Sequence, residues 1–121
     1  MSDSQEPATA DSWEHVPTNS PTNVPNPRRT WSDAEWDRIR RGHVPQSPDD
    51  PWFAFVEGDR LSIHRRDTGA GIYSVRFRRE LSGWRIVSAE VESDPQIHLS
   101  GNAAEESRAL QTLIESLLLG A

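Results

Sequence analysis

Four segments rich in β-branched and aromatic residues crowd into residues 52–91, and the stretches between them are too short for anything but hairpins. The segments are 52–57 (WFAFVE), 61–65 (LSIHR), 72–79 (IYSVRFRR) and 84–91 (WRIVSAEV). Gly58-Asp59 fits a tight turn, Asp67–Gly71 a wider glycine-bearing loop, and Glu80–Gly83 a four-residue turn. A parallel pair needs a crossover of about a dozen residues or more. The four segments are therefore predicted to form an antiparallel meander.

A sheet with one apolar face needs a cover, and the chain ends in one. Asn102 can cap a helix with Glu105 at N3, and Leu110, Leu113, Ile114, Leu117 and Leu118 recur at helical spacing before Gly120. Residues 52–119 hold 23 Leu, Ile, Val, Phe, Trp and Tyr among 68, enough for one small core. A second helix is predicted at 32–41. Ser32 and Glu35 form a capping box, Trp31 and Trp36 a hydrophobic staple, and Gly42 a stop. Its narrow apolar side (Ala34, Trp36, Ile39) and the prolines that follow (Pro45, Pro48, Pro51) mark it as a satellite on an extended linker. The expected fold is α+β, a four-stranded antiparallel meander with the C-terminal helix on one face, in the order α-β-β-β-β-α.

Residues 1–27 hold five of the nine prolines, and only Met1, Trp13, Val16 and Val24 are large and apolar. That is too little to offset the entropy of ordering the segment. The expected organisation is thus a disordered acidic tail (1–27), a short helix with a Pro-rich linker (28–51) and an α+β domain (52–121).

Register decides which side chains share a face. An even turn after Arg79 puts Tyr73, Val75 and Phe77 with Trp84 and Ile86, and sets Arg76, Arg78 and Arg85 together on the other side. In the first hairpin a three-residue loop aligns Phe53 and Phe55 with Leu61 and Ile63, and a two-residue loop aligns them with Ser62 and His64. The three-residue form separates apolar from polar faces and is preferred. The first strand is apolar on both sides, however, which leaves the other form open.

All thirteen basic residues are Arg, against nineteen acids, for a net charge of −6. The distribution is uneven: residues 59–85 carry +4 while 1–27 carry −4 and 86–121 carry −5. An acidic chain with one basic island is a poor non-specific binder of nucleic acid or anionic membrane. Guanidinium forks suit carboxylate and phosphate. Cysteine is absent, which removes disulfides, thiolate metal sites and thiol catalysis. No apolar run is long enough to span a membrane, and residues 1–18 lack the pattern of a secretory signal, so a cytoplasmic chain is expected. His15, His43, His64 and His98 show no metal-ligand spacing, and no nucleotide, phosphate-loop or zinc-protease motif occurs. The expectation is no metal, no cofactor and no catalytic residue.

The run His64-Arg-Arg-Asp-Thr-Gly-Ala-Gly-Ile-Tyr-Ser-Val-Arg-Phe77, with Trp52-Phe53-Ala-Phe55 before it and the Leu-rich ending, resembles a small bacterial family of uncharacterised domains. The resemblance covers residues 52–119 and rests on His64, Arg65, Thr68, Gly69, Ile72, Tyr73, Val75 and Phe77. Members of that family also occur appended to ADP-ribosylglycohydrolase-type proteins, which implies ADP-ribose-related company and no established activity.

Arg78 opposite Arg85, with Arg76 two residues along, is a like-charge arrangement that calls for a compensating anion. The internal candidates are Glu90, Glu92 or an acid of the tail; the external one is a bound phosphate or carboxylate. The candidate ligand site is therefore His64, Arg65, Thr68, Gly69, Arg76, Arg78 and Arg85, the Thr68–Gly71 amides serving as further donors. The leading reading is a non-enzymatic module for a phosphorylated, ADP-ribose-like small molecule. Its alternative is a protein-interaction domain that uses the Trp-bearing tail or an open sheet edge. A hydrolase built on His64 and Asp67 has only their proximity in its favour.

Overall fold

The computed structural model describes residues 7–99 and 101–120, and the fold is α+β around one antiparallel sheet. The predicted meander forms as β3 (Trp52–Glu57), β4 (Arg60–Arg65), β5 (Gly71–Glu80) and β6 (Gly83–Glu92). The sheet nonetheless has six strands rather than four. Two short strands, β1 (Pro21–Asn23) and β2 (Thr30–Trp31), pair antiparallel along the outer edge of β6, so the order runs β1-β6-β5-β4-β3 with β2 beside β6. Val24 adds an amide bond to the Ala89 carbonyl, and at the opposite edge His43 and Ala54 exchange both backbone hydrogen bonds. The outer edge of β6 is thus lined by short strands and that of β3 by one bridge, devices that blunt edge-to-edge pairing.

The helix-bearing face is one continuous apolar cluster. It joins Leu61, Ile63, Val75, Phe77 and Ile86 of the sheet to Leu110 and Ile114 of the C-terminal helix α2 (Ala103–Leu113). The Asn102 cap forms as predicted, with Glu105 N donating to Asn102 Oδ1 at 2.9 Å. Beyond Leu113 the helix widens into a π-helical turn over Ile114–Leu118. Tyr73 on β5 donates its hydroxyl to Glu106 Oε1 at 2.7 Å, pinning the start of α2 to the sheet. Burial and this carboxylate together raise the Tyr73 pKa above the ordinary phenol value.

The first helix, α1 (Asp33–Ile39), forms behind its Ser32–Glu35 capping box, but it is no satellite. Trp31 and Ile39 are fully buried and Trp36 nearly so, all within the main cluster. Arg29 bridges Glu35 at 2.5 Å and Glu115 at 2.6 Å, and Arg38 donates to the Leu119 carbonyl. The proline linker does not matter here because α1 draws its partners from β6 and the chain's last turn, both distant in sequence.

The first hairpin uses the two-residue turn. Gly58 takes φ 62° and the register pairs Phe53 with His64 and Phe55 with Ser62. The preferred three-residue loop is therefore corrected, and so is the detached tail. Phe53 and Phe55 face away from the helices, and the N-terminal segment buries them through Ala8, Ala10 and Trp13. The Trp13 indole donates to the Arg66 carbonyl at 3.0 Å, and Val16 N donates to the Gly69 carbonyl at 2.9 Å. Asn19 N and Ser20 N donate to the fully buried Glu92 carboxylate at 2.6 and 3.0 Å. The segment is ordered mainly by backbone hydrogen bonds, which a count of apolar side chains does not register. Residues 1–6 of the expected disordered tail lie outside the described residues.

Candidate functional site

The site is best built from the rows of side chains that cross the face opposite the helices. One row runs Phe55–Ser62–Ser74–Glu90, neighbour to neighbour over β3 to β6. The next row pairs Arg60 with Arg76 and Arg76 with Ser88, and a third pairs Arg78 with Arg85. Arg76 and Arg78 share this face by strand alternation, and the register shift between Arg76 and Phe77 brings Ser88 rather than Val87 opposite Arg76 while Phe77 meets Ile86 on the other face.

The predicted site residues divide into four groups. Arg76, Arg78 and Arg85 do share the face, as the even turn required, and they already hold carboxylates. Arg76 lies 3.5 Å from Asp59, while Glu80 serves Arg78 at 3.5 Å and Arg85 at 3.3 Å. The internal counter-anion at the 78/85 pair is therefore Glu80, not Glu90 or Glu92. Arg65 points to the opposite face, its guanidinium 5.3 Å from the Trp52 ring centre and 3.8 Å from Asp67.

Thr68 and Gly69 form the turn into β5, and its amides are spent. Thr68 N donates to Asp67, Gly69 N to the Arg65 carbonyl, and Ala70 N to Thr68 Oγ1. The chain's own residues 14 and 15 run against this turn. A Cβ at Gly69 would sit 2.8 Å from the Glu14 carbonyl oxygen and 2.9 Å from His15 Cα. Broad concavities of about 520 and 620 Å³ flank this junction, lined by residues such as Asp11, Trp13, Glu14 and Thr68.

His64 is buried beneath the same segment. Its ring stacks on Phe55 at 5.7 Å and meets the His15 ring edge-on at 4.7 Å. Nδ1 lies 3.1 Å from the Gly69 carbonyl, an acceptor only, so Nδ1 carries the proton. Burial holds the His64 pKa below the ordinary histidine value, and the neighbouring His15 pushes it the same way.

A cleft of about 290 Å³ opens beside His64, where residues 17–21 cross the sheet. Ser62 and Ser74 line it, with Arg60 and Glu90 as its charged groups and Pro17, Thr18 and Pro21 contributed by the crossing segment. Arg60 donates to Ser74 Oγ at 2.9 Å and pairs with no carboxylate among the described residues. Arg60, Ser74 and Glu90 were not among the predicted ligand-binding residues. The available signal was the two-residue reading of the first hairpin, which puts Ser62 and His64 on the arginine face and leads Arg60 into the same row system.

No protein-family model, curated protein or solved structure matches this chain. The site is thus argued from its own geometry.

Proposed function

We propose that the protein is a small binding module that captures an anionic group, carboxylate or phosphate, in the cleft at Arg60. One observation carries this reading. Arg60 stands between Arg76 on β5, a like charge that destabilises the sheet, and Glu57 on β3, yet among the described residues it forms no ion pair, its guanidinium donating to Ser74 Oγ instead, while Arg76 has Asp59. The two other arginines of this face share Glu80, which leaves Arg60 as the arginine of this face with no ion pair among the described residues, its guanidinium lining the cleft. Ser62 and Ser74 supply hydroxyls at its side.

A binding role fits better than catalysis. His64, the one imidazole lining the cleft, is committed through Nδ1 to the Gly69 carbonyl. Thermal-shift titration at low salt with acetate, inorganic phosphate and ADP-ribose tests the reading, since only ligands of the native state raise the melting temperature. At least one anion should stabilise the parent, and Arg60→Ala should lose that response while Arg78→Ala keeps it. No shift with any of the three, or an undiminished shift in Arg60→Ala, overturns it.

A further inference from the structure

Arg60 has an opposite number. Glu90 is the β6 neighbour of Ser74, so the two charged side chains flank one serine on a single floor. The Glu90 carboxylate is half-buried, yet among the described residues it accepts no hydrogen bond and faces no paired cation. Every other half-buried or buried carboxylate of the sheet is answered: Glu92 by backbone amides and Glu80 by two arginines. A carboxylate partly withdrawn from water without a donor is unfavourable until one arrives. Arg60 does not supply it, because its guanidinium is turned to Ser74.

From this pairing of uncompensated charges, and resting on the anion-binding reading above, we infer that the ligand is a small zwitterion of the α-amino-acid class. Its carboxylate would meet Arg60, its ammonium group Glu90, and the Ser62 and Ser74 hydroxyls would bond to either end. The cleft volume of about 290 Å³ lies at the lower end of small-molecule sites, which suits a single amino acid better than a nucleotide. Pro17 and Pro21 line one side of the cleft on a segment already fixed to β6 through Asn19, Ser20 and Pro21, so its backbone loses little entropy when a guest binds.

L-Alanine and L-lactate separate the two layers of this reading, because they differ at the ammonium position and share the carboxylate. Amide NMR titrations of the full chain should show shifts at Ser62, Ser74 and Glu90, with L-alanine binding about tenfold tighter than L-lactate, the worth of one charge-assisted hydrogen bond. Glu90→Gln should bring the two affinities together by weakening L-alanine binding, and Arg60→Ala should weaken both. Equal affinities in the parent, or a preference that survives Glu90→Gln, overturn the zwitterion and leave the anion site standing. Absence of shifts with either compound, together with no response to phosphate, overturns both.

Discussion

Trp36 of α1 and Trp84 of β6 stack with ring centres 4.4 Å apart and planes 17° from parallel. Trp36 also leans on Phe77 at 4.8 Å, and Phe77 meets Trp31 edge-on at 5.6 Å. Four aromatics from four elements thus interlock at the junction of helix and sheet. The Trp84 indole continues the connection by donating to Asp33 Oδ1 at 2.9 Å, which Arg79 also engages. Those two donors, Arg79 first, hold the Asp33 pKa below its ordinary value.

Helix α1 should therefore unfold with the sheet. Trp36→Ala is expected to cost about 3–5 kcal/mol of global stability, the range for deleting a large buried aromatic. Hydrogen exchange at residues 34–39 should follow the β6 amides. Opening of those amides at a lower free energy than β6 would show that the stack contributes little.

Removing residues 1–20 should destabilise the domain. The Glu92 carboxylate is fully buried and takes hydrogen bonds from the amides of Asn19, Ser20 and Asp94. The truncation deletes two of these donors and strands a buried charge, a loss of roughly 2–3 kcal/mol or more. Urea unfolding of the truncated chain is the measurement, and an unchanged midpoint would contradict it.

Acid should weaken the protein through His64. Its folded pKa lies below the unfolded value of about 6.5, so as pH falls the unfolded chain takes up the proton first. The stabilising contribution is complete above that value and is lost as pH drops from it toward the folded pKa. A charged His64 would also face His15 at 4.7 Å. Melting temperatures between about pH 7 and pH 5 should fall less steeply in His64→Gln than in the parent; parallel slopes would assign the acid sensitivity elsewhere.

Glu80→Gln should expose the repulsion between Arg78 and Arg85. The carboxylate serves both guanidinium groups, each at least half exposed, so the expected loss is only about 0.5–1 kcal/mol. It should shrink as salt screens the pair. A loss independent of ionic strength would point to packing rather than charge.

The local features of this fold are legible in the chain itself. Ser32/Glu35 and Asn102/Glu105 close their capping boxes as their spacing requires, and the even turn after Arg79 brings Arg78 opposite Arg85. These depend on residues a few positions apart, whose preferences act before any tertiary contact exists. WFAFVE is apolar on both sides, which left its register open and gave no sign of what would bury its second face. Tertiary structure alone decided that it is the N-terminal segment, anchored by backbone amides on Glu92 and Gly69. Main-chain donors are the same in every residue but proline, so such anchoring leaves no mark in composition. The same holds for the cleft. Arg60 and Glu90 are thirty residues apart, and only the register of three strands brings both beside Ser74, neither in an ion pair among the described residues.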